Sequence, residues 1–233
     1  MRHTIFILGL FALSCGIAST PACAQVQNYS VLPPDPSAGD NAQPIDGIAA
    51  RIEGDILTES EVRELAAFQQ LVDGQSKSRI EILRELTDQW IARGEAEASK
   101  YPPPTSEDVD RAYALLAKQF SSPQEFKKRF EAAGLSEMAV RRMLEEQLYL
   151  SRFLDYRFRS AAQVSDEQIA SYYETEFSPQ LETRKQPVPP LAEVEDTIRE
   201  VLVQRDINDR ATKWLDDTRQ RIKVDVISPE DAK

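Results

Sequence analysis

The chain has 233 residues and a formal net charge of −11 at pH 7, from 39 acidic and 28 basic side chains. A surface this negative repels phosphate backbones and anionic membrane surfaces, so composition argues against nucleic-acid binding. Apolar residues make up 41% of the chain, which is enough to build a packed core.

Residues 1–24 have the three-part layout of a secretory signal peptide. A basic start at Arg2 and His3 leads into an apolar run, and small residues precede Gln25. The apolar run is shorter than the roughly 20 residues that a membrane-spanning helix needs. We therefore predict cleavage after Ala24 and a mature protein outside the cytoplasm, without stable membrane insertion.

Two alternatives to simple cleavage stay open. The segment could remain as a membrane anchor, or the protein could be a lipoprotein modified at Cys15 or Cys23. The residues before either cysteine fit the usual lipidation signal poorly.

Cleavage after Ala24 would remove the only histidine, His3, and both cysteines. A chain without them cannot form a Ser-His-Asp triad, a cysteine nucleophile or an ordinary zinc site. A pair of carboxylates could still serve a glycosidase, but many acidic residues lie at helix starts, where the helix dipole accounts for them. The sequence contains no Gly-rich phosphate loop. We therefore expect no catalytic residue, no metal and no cofactor.

Few glycines and few β-branched runs predict a mainly α fold. Residues 25–46 are rich in Pro, Ser, Asp and Asn, without apolar periodicity, and predict a disordered tether. Residues 48–57 predict a small β-hairpin around Glu53-Gly54-Asp55, in which Gly54 would supply the positive φ of the turn.

Helices dominate the rest of the chain, and most of them begin at a residue suited to cap a helix N-terminus. The predicted helices span about 58–74, 77–99, 105–120, 122–134, 136–160, 165–177 and 191–221. Residues 178–190 are polar and Pro-rich and predict a connection.

Residues 223–227 alternate in polarity and predict a final strand. A lone strand cannot satisfy its own backbone groups. We therefore expect it to pair with the N-terminal hairpin, which would bring the last helix into the N-terminal helical core.

The fifth predicted helix carries more apolar and aromatic side chains near its C-terminus than one face can hold. Successive helical positions are about 100° apart, so residues 153, 154, 156, 157 and 158 cannot all face one core stripe. Phe153, Tyr156 and Phe158 are therefore candidates for an exposed surface that binds apolar peptide segments. The alternative is that another helix, such as the last one, covers the extra face.

The order of these elements resembles the SurA type of periplasmic chaperone. The similar segments are the hairpin and first helix start (48–62), the second helix (82–91), the short helix and its exit (120–136), the sixth helix (164–173) and the closing helix and strand (191–227). The resemblance implies a SurA N-terminal-like, trigger-factor-type peptide-binding domain.

By this resemblance, residues 47–177 would form the helical domain, and residues 191–228 would pack on it. Residues 178–190 stand where the family carries a parvulin prolyl isomerase domain. Parvulin sites use histidines, which the mature chain would lack.

The resemblance therefore implies an ATP-independent periplasmic chaperone that is not an enzyme and is linked to outer-membrane protein assembly. Its partners would be unfolded or partly folded exported polypeptides. Two alternatives are a dedicated structural or assembly subunit and a homodimer, in which one partner or a second copy of the chain would permanently fill the apolar peptide-binding groove. A peptidyl-prolyl isomerase is a less favoured alternative.

Overall fold

The computed structural model describes residues 46–74 and 76–228. The predicted signal peptide, its cleavage site and almost all of the predicted tether lie outside these residues. Within the described ranges the chain forms eight α-helices and three short strands, which confirms the mainly α fold.

The elements follow one another along the chain with short connections. The strands are β1 (Ile48–Ile52), β2 (Asp55–Thr58) and β3 (Val224–Val226). The helices are α1 (Glu59–Asp73), α2 (Arg79–Ala98), α3 (Ser106–Ala117), α4 (Pro123–Ala132), α5 (Glu137–Phe158), α6 (Asp166–Tyr172), α7 (Ser178–Thr183) and α8 (Leu191–Arg219). A single 3₁₀ turn (Arg159–Ala161) follows α5, and a π-helical turn (Tyr173–Phe177) joins α6 to α7.

Side-chain caps explain where most helices begin. The N-cap residues of α1, α2, α3 and α6 form reciprocal capping boxes, and they are Thr58, Ser78, Thr105 and Ser165. Each box satisfies backbone N–H groups that the first turn of a helix leaves without partners. The helix starts predicted from the sequence are confirmed to within a residue or two.

The three strands form one antiparallel sheet in the order β2-β1-β3. Ala50 of β1 pairs with Val226 of β3, and the amide of Ile227 donates to the carbonyl of Ala49 at 3.0 Å. The predicted pairing of the C-terminal strand with the hairpin is therefore confirmed.

The predicted role of Gly54 in the hairpin turn is wrong. Glu53 takes the positive φ, at 55°, and Gly54 does not. The cause is the third strand: the Glu53 amide donates to the carbonyl of Lys223 at 3.1 Å, and the Glu53 carboxylate accepts from the Lys223 amide at 2.7 Å. These two bonds hold Glu53 in a conformation that few side chains adopt.

Three clusters of buried side chains hold the helices together. The first joins the sheet to α1 and α2, and the second is built around the phenylalanines of α1 and α4. The third joins α2 and α5 to α8 through Ala96, Phe153, Leu154 and Ala211. The last long helix is thus part of the N-terminal helical core, as predicted.

Helix α7 lies inside the segment that was predicted to be a connection. Pro179 does not prevent it, because a proline in the first turn of a helix loses no hydrogen bond. The preceding π-helical turn leads directly into α7, and Lys185 follows its end with a φ of 55°. None of the helices in the described ranges is long and apolar enough to cross a membrane.

The sheet pairing predicts that the C-terminal strand stabilises the whole core. A chain ending at Ile222 loses all of β3 and leaves one edge of β1 unpaired, so we expect a clear drop in melting temperature by circular dichroism. A chain ending at Ser228 keeps every β1–β3 hydrogen bond and serves as the control. Equal melting temperatures for the two truncated chains would contradict the stabilising role of β3.

Candidate functional site: an aromatic cluster beside a tryptophan cleft

Aromatic side chains gather where α5 passes the end of α2. The ring of Tyr101 lies with its centroid 5.3 Å from that of Tyr156, 5.7 Å from that of Phe153 and 6.0 Å from that of Tyr149. The Tyr149 hydroxyl also donates to the carbonyl of Tyr101 at 3.3 Å. We call these four residues, with Phe158 and Trp214, the aromatic cluster.

The structure separates the three residues that the sequence analysis grouped as exposed. Tyr156 is 66% exposed, as expected, but Phe153 is 1% exposed and belongs to the buried core. Phe158 is half-buried because its ring packs 6.0 Å from that of Trp214 on α8. The expectation of an exposed Phe153 is therefore wrong, and the last helix covers part of the extra face.

A cleft opens next to this cluster, between α2, α5 and α8. Its volume is about 380 Å³, and its lining includes Trp90, Gly94, Glu95, Arg157, Trp214 and Arg221. Trp90 and Trp214 are the only two tryptophans of the chain. We call this feature the tryptophan cleft.

Sequence reasoning missed the tryptophan cleft. Helical spacing of apolar residues places Trp90 on one stripe of the second predicted helix and Trp214 on one stripe of the last, and no pattern along the chain connects one stripe to the other. The one available signal was that both of the chain's tryptophans fall on long helices predicted to share a core.

Arg157 connects the tryptophan cleft to the aromatic cluster. Its guanidinium carbon lies 4.7 Å from the centre of the Trp214 ring and 5.6 Å from that of Phe158. The same side chain donates to the Glu95 carboxylate at 2.8 Å. A guanidinium over an aromatic face is held by the ring's quadrupole, so Arg157 fixes the position of one wall of the cleft.

The polar groups of the two tryptophans differ. The Trp90 indole N–H donates to Asp55 at 2.8 Å, which ties α2 to the hairpin. The Trp214 indole N–H has no hydrogen-bond partner within 46–74 and 76–228. Arg221 bonds the Asp217 carbonyl and the Thr218 hydroxyl, and no carboxylate of the described chain pairs with it. The side chains that line the cleft therefore include an indole donor and an arginine without a carboxylate partner in the described chain, next to two aromatic rings.

Two carboxylates on the helices α2 and α5 have shifted pKa values, and each is paired with an arginine. Burial raises the pKa of Asp88, while Arg219 beside it opposes the shift. Burial likewise raises the pKa of Glu146, which Arg93 opposes. These pairs join α2 to α8 and α2 to α5, so their shifts are accounted for by structural ion pairs.

The arrangement suits the binding of apolar and aromatic groups. No group of three or more His, Cys, Asp or Glu residues that could hold a metal ion occurs in the part of the chain that the structure describes. Comparison with protein-family models finds no match, and comparison with curated proteins finds none either.

The different burial of Phe153 and Tyr156 predicts different effects of truncation. Phe153→Ala should lower the free energy of unfolding by about 3–5 kcal/mol, because it removes a buried ring and leaves a cavity. Tyr156→Ala should change it by less than about 1 kcal/mol, as expected for an exposed side chain. Urea unfolding of both variants measures the difference, and equal losses would contradict these positions.

A second prediction concerns Asp108, which caps α3 and reaches α5. The hydrogen bond from Arg152, together with those from Thr105 and Arg111, holds the pKa of Asp108 well below its usual range. A carboxyl whose pKa is lower in the folded than in the unfolded state stabilises the fold above about pH 4, and this contribution disappears as the pH falls further.

Asp108→Asn should therefore lower the melting temperature at neutral pH, and the difference from the wild type should shrink below about pH 4. Glu107→Gln is the matched control, because the side chain of Glu107 is 83% exposed. A difference between wild type and Asp108→Asn that stays constant with pH would show that the charge of Asp108 has no part in it.

Proposed function

We propose that this protein is an ATP-independent periplasmic chaperone that binds unfolded or partly folded segments of exported polypeptides and has no isomerase activity. The observation that carries the proposal is the aromatic cluster beside the tryptophan cleft. Tyr156 is exposed beside Tyr101, and its neighbour on α5, Arg157, lines the cleft and packs on Trp214. An accessible aromatic surface next to a cleft is suited to apolar side chains of an extended peptide.

The size of the tryptophan cleft favours weak binding with little selectivity. A buried aromatic side chain removes about 150–250 Å² from water, which contributes about 4–6 kcal/mol at 25 cal/mol per Å². Association costs at least about 4 kcal/mol. One side chain in the cleft therefore leaves little net affinity, and a client must engage the aromatic cluster as well. Weak contacts of this kind would allow release as the client folds, without nucleotide hydrolysis.

The polar groups of the cleft are also consistent with a peptide ligand. Extended peptides present carbonyl oxygens that no intramolecular bond satisfies. Trp214 lines the cleft, and its indole N–H is a donor suited to such a carbonyl. Arg221 could in the same way bind an acidic side chain of the peptide.

The test is suppression of aggregation, with a matched pair of surface variants on one helix. Tyr156→Ser changes the aromatic cluster, and Met138→Ser removes a side chain that is 79% exposed near the other end of α5. The two positions are about 27 Å apart along the helix. Light scattering of reduced insulin should be suppressed by the wild type and by Met138→Ser, and several-fold less by Tyr156→Ser.

If the two serine variants suppress aggregation equally well, Tyr156 is not part of the proposed client-binding surface. If the wild-type protein does not suppress aggregation at all, the chaperone proposal fails and a dedicated assembly subunit or a homodimer remains. Sedimentation equilibrium then separates those two. Catalysis of prolyl isomerisation in a peptide assay would overturn the claim that isomerase activity is absent.

A further inference from the structure

We infer that the tryptophan cleft is occupied, in the absence of client, by the chain's own segment Val31-Leu32-Pro33-Pro34-Asp35-Pro36. This segment precedes the first described residue. The inference concerns regulation of the proposed client site and in that respect rests on the proposed function. The docked segment acts as an internal competitor that a client must displace.

The chemistry of the segment matches that of the cleft. Adjacent prolines favour the extended polyproline II conformation, which exposes its carbonyl oxygens and docks into aromatic-lined grooves at a low cost in conformational entropy. Trp90 and Trp214 supply aromatic walls, and the Trp214 indole N–H is an available donor for one prolyl carbonyl. Leu32 supplies an apolar side chain for the same walls.

Charge complementarity also favours this segment as the occupant of the cleft. Arg157 is paired with Glu95, whereas Arg221 has no carboxylate partner within the described ranges. Asp35 directly follows Pro33-Pro34, so the segment carries a negative charge that is complementary to Arg221. A second copy of the chain is a less suitable occupant, because two chains of charge −11 repel one another.

The stretch between the proline segment and Asp46 is long enough for the segment to reach the cleft. Asp46 is anchored at the start of α1, where its carboxylate accepts from the Ser60 amide at 3.1 Å. Trp90 is bonded to Asp55 at the opposite end of the hairpin. At about 3.3 Å per residue, that end lies about 20–25 Å from Asp46. The 34–46 stretch spans up to about 40 Å when extended.

Because the segment is tethered to the protein, a weak contact is enough to keep the cleft occupied. A short linker holds its ligand at an effective concentration of about 1 mM. A segment with an intrinsic dissociation constant of about 0.1 mM then fills the cleft about nine-tenths of the time. Client affinity is reduced about tenfold, because only the empty fraction is competent to bind.

Tryptophan fluorescence reports on this contact directly, since both tryptophans of the chain line the cleft. The test uses the chain 25–233 and the variant Leu32→Ser/Pro33→Ser/Pro34→Ser. The variant should show red-shifted emission and stronger quenching by acrylamide, and a synthetic peptide of residues 28–38 should reverse both changes. The control Ala38→Ser/Ala42→Ser/Pro44→Ser alters the same segment outside the motif and should behave as the wild type.

A second readout separates this inference from the proposed function. A fluorescein-labelled peptide in which Tyr and Phe alternate with Ser and Gly should bind the triple variant about tenfold more tightly than the wild type. Unchanged quenching in the variant overturns the docking inference, whether or not this peptide binds. Quenching that depends on protein concentration, with a doubled mass in sedimentation, also overturns it, because a second copy then fills the cleft.

If the fluorescence changes as expected while the labelled peptide binds neither protein, docking of the segment stands and the proposed client site fails. If the labelled peptide binds both proteins equally while the fluorescence changes, the segment occupies the cleft without competing. That result overturns its role as an internal competitor.

Discussion

The central strand β1 must be paired at both of its edges, and the rest of the structure depends on how this is achieved. The hairpin covers one edge, and β3 covers the other from the far end of the chain. Arg79 secures the closure: its guanidinium bonds the carbonyl of Ala49 in β1, the carbonyl of Ile227 after β3 and the carboxylate of Glu59. One side chain at the start of α2 thus connects both ends of the described chain to α1. A charged group with three acceptors stabilises more than a neutral hydrogen bond does.

The position of β3 also determines the path of the helix before it, α8. Because α8 ends just before β3, its C-terminal half must pass beside α2, where Arg219 pairs with Asp88 and Arg84 pairs with Asp216. That path places Trp214 across from Trp90 and beside Arg157. The tryptophan cleft is therefore a consequence of sheet closure, even though no residue of the sheet lines it.

The sequence predicted the elements well, because their signals are local. Capping residues such as Thr58, Ser78 and Thr105 act within one helical turn, so their positions alone indicate where helices begin. The pairing of β3 was also predictable, since an unpaired strand next to a hairpin has few other ways to satisfy its backbone. The helix α7 was missed because it follows a π-helical turn without a side-chain cap of its own.

The candidate site could be predicted only in part. The sequence by itself determined a mainly α chain, the starts of its helices and an excess of aromatic side chains near the end of α5. Only the tertiary structure decided that Phe153 is buried while Tyr156 is exposed, and that the two tryptophans share a cleft. The physical reason is that helical periodicity shows which residues share a face, but it does not show which distant helix covers that face.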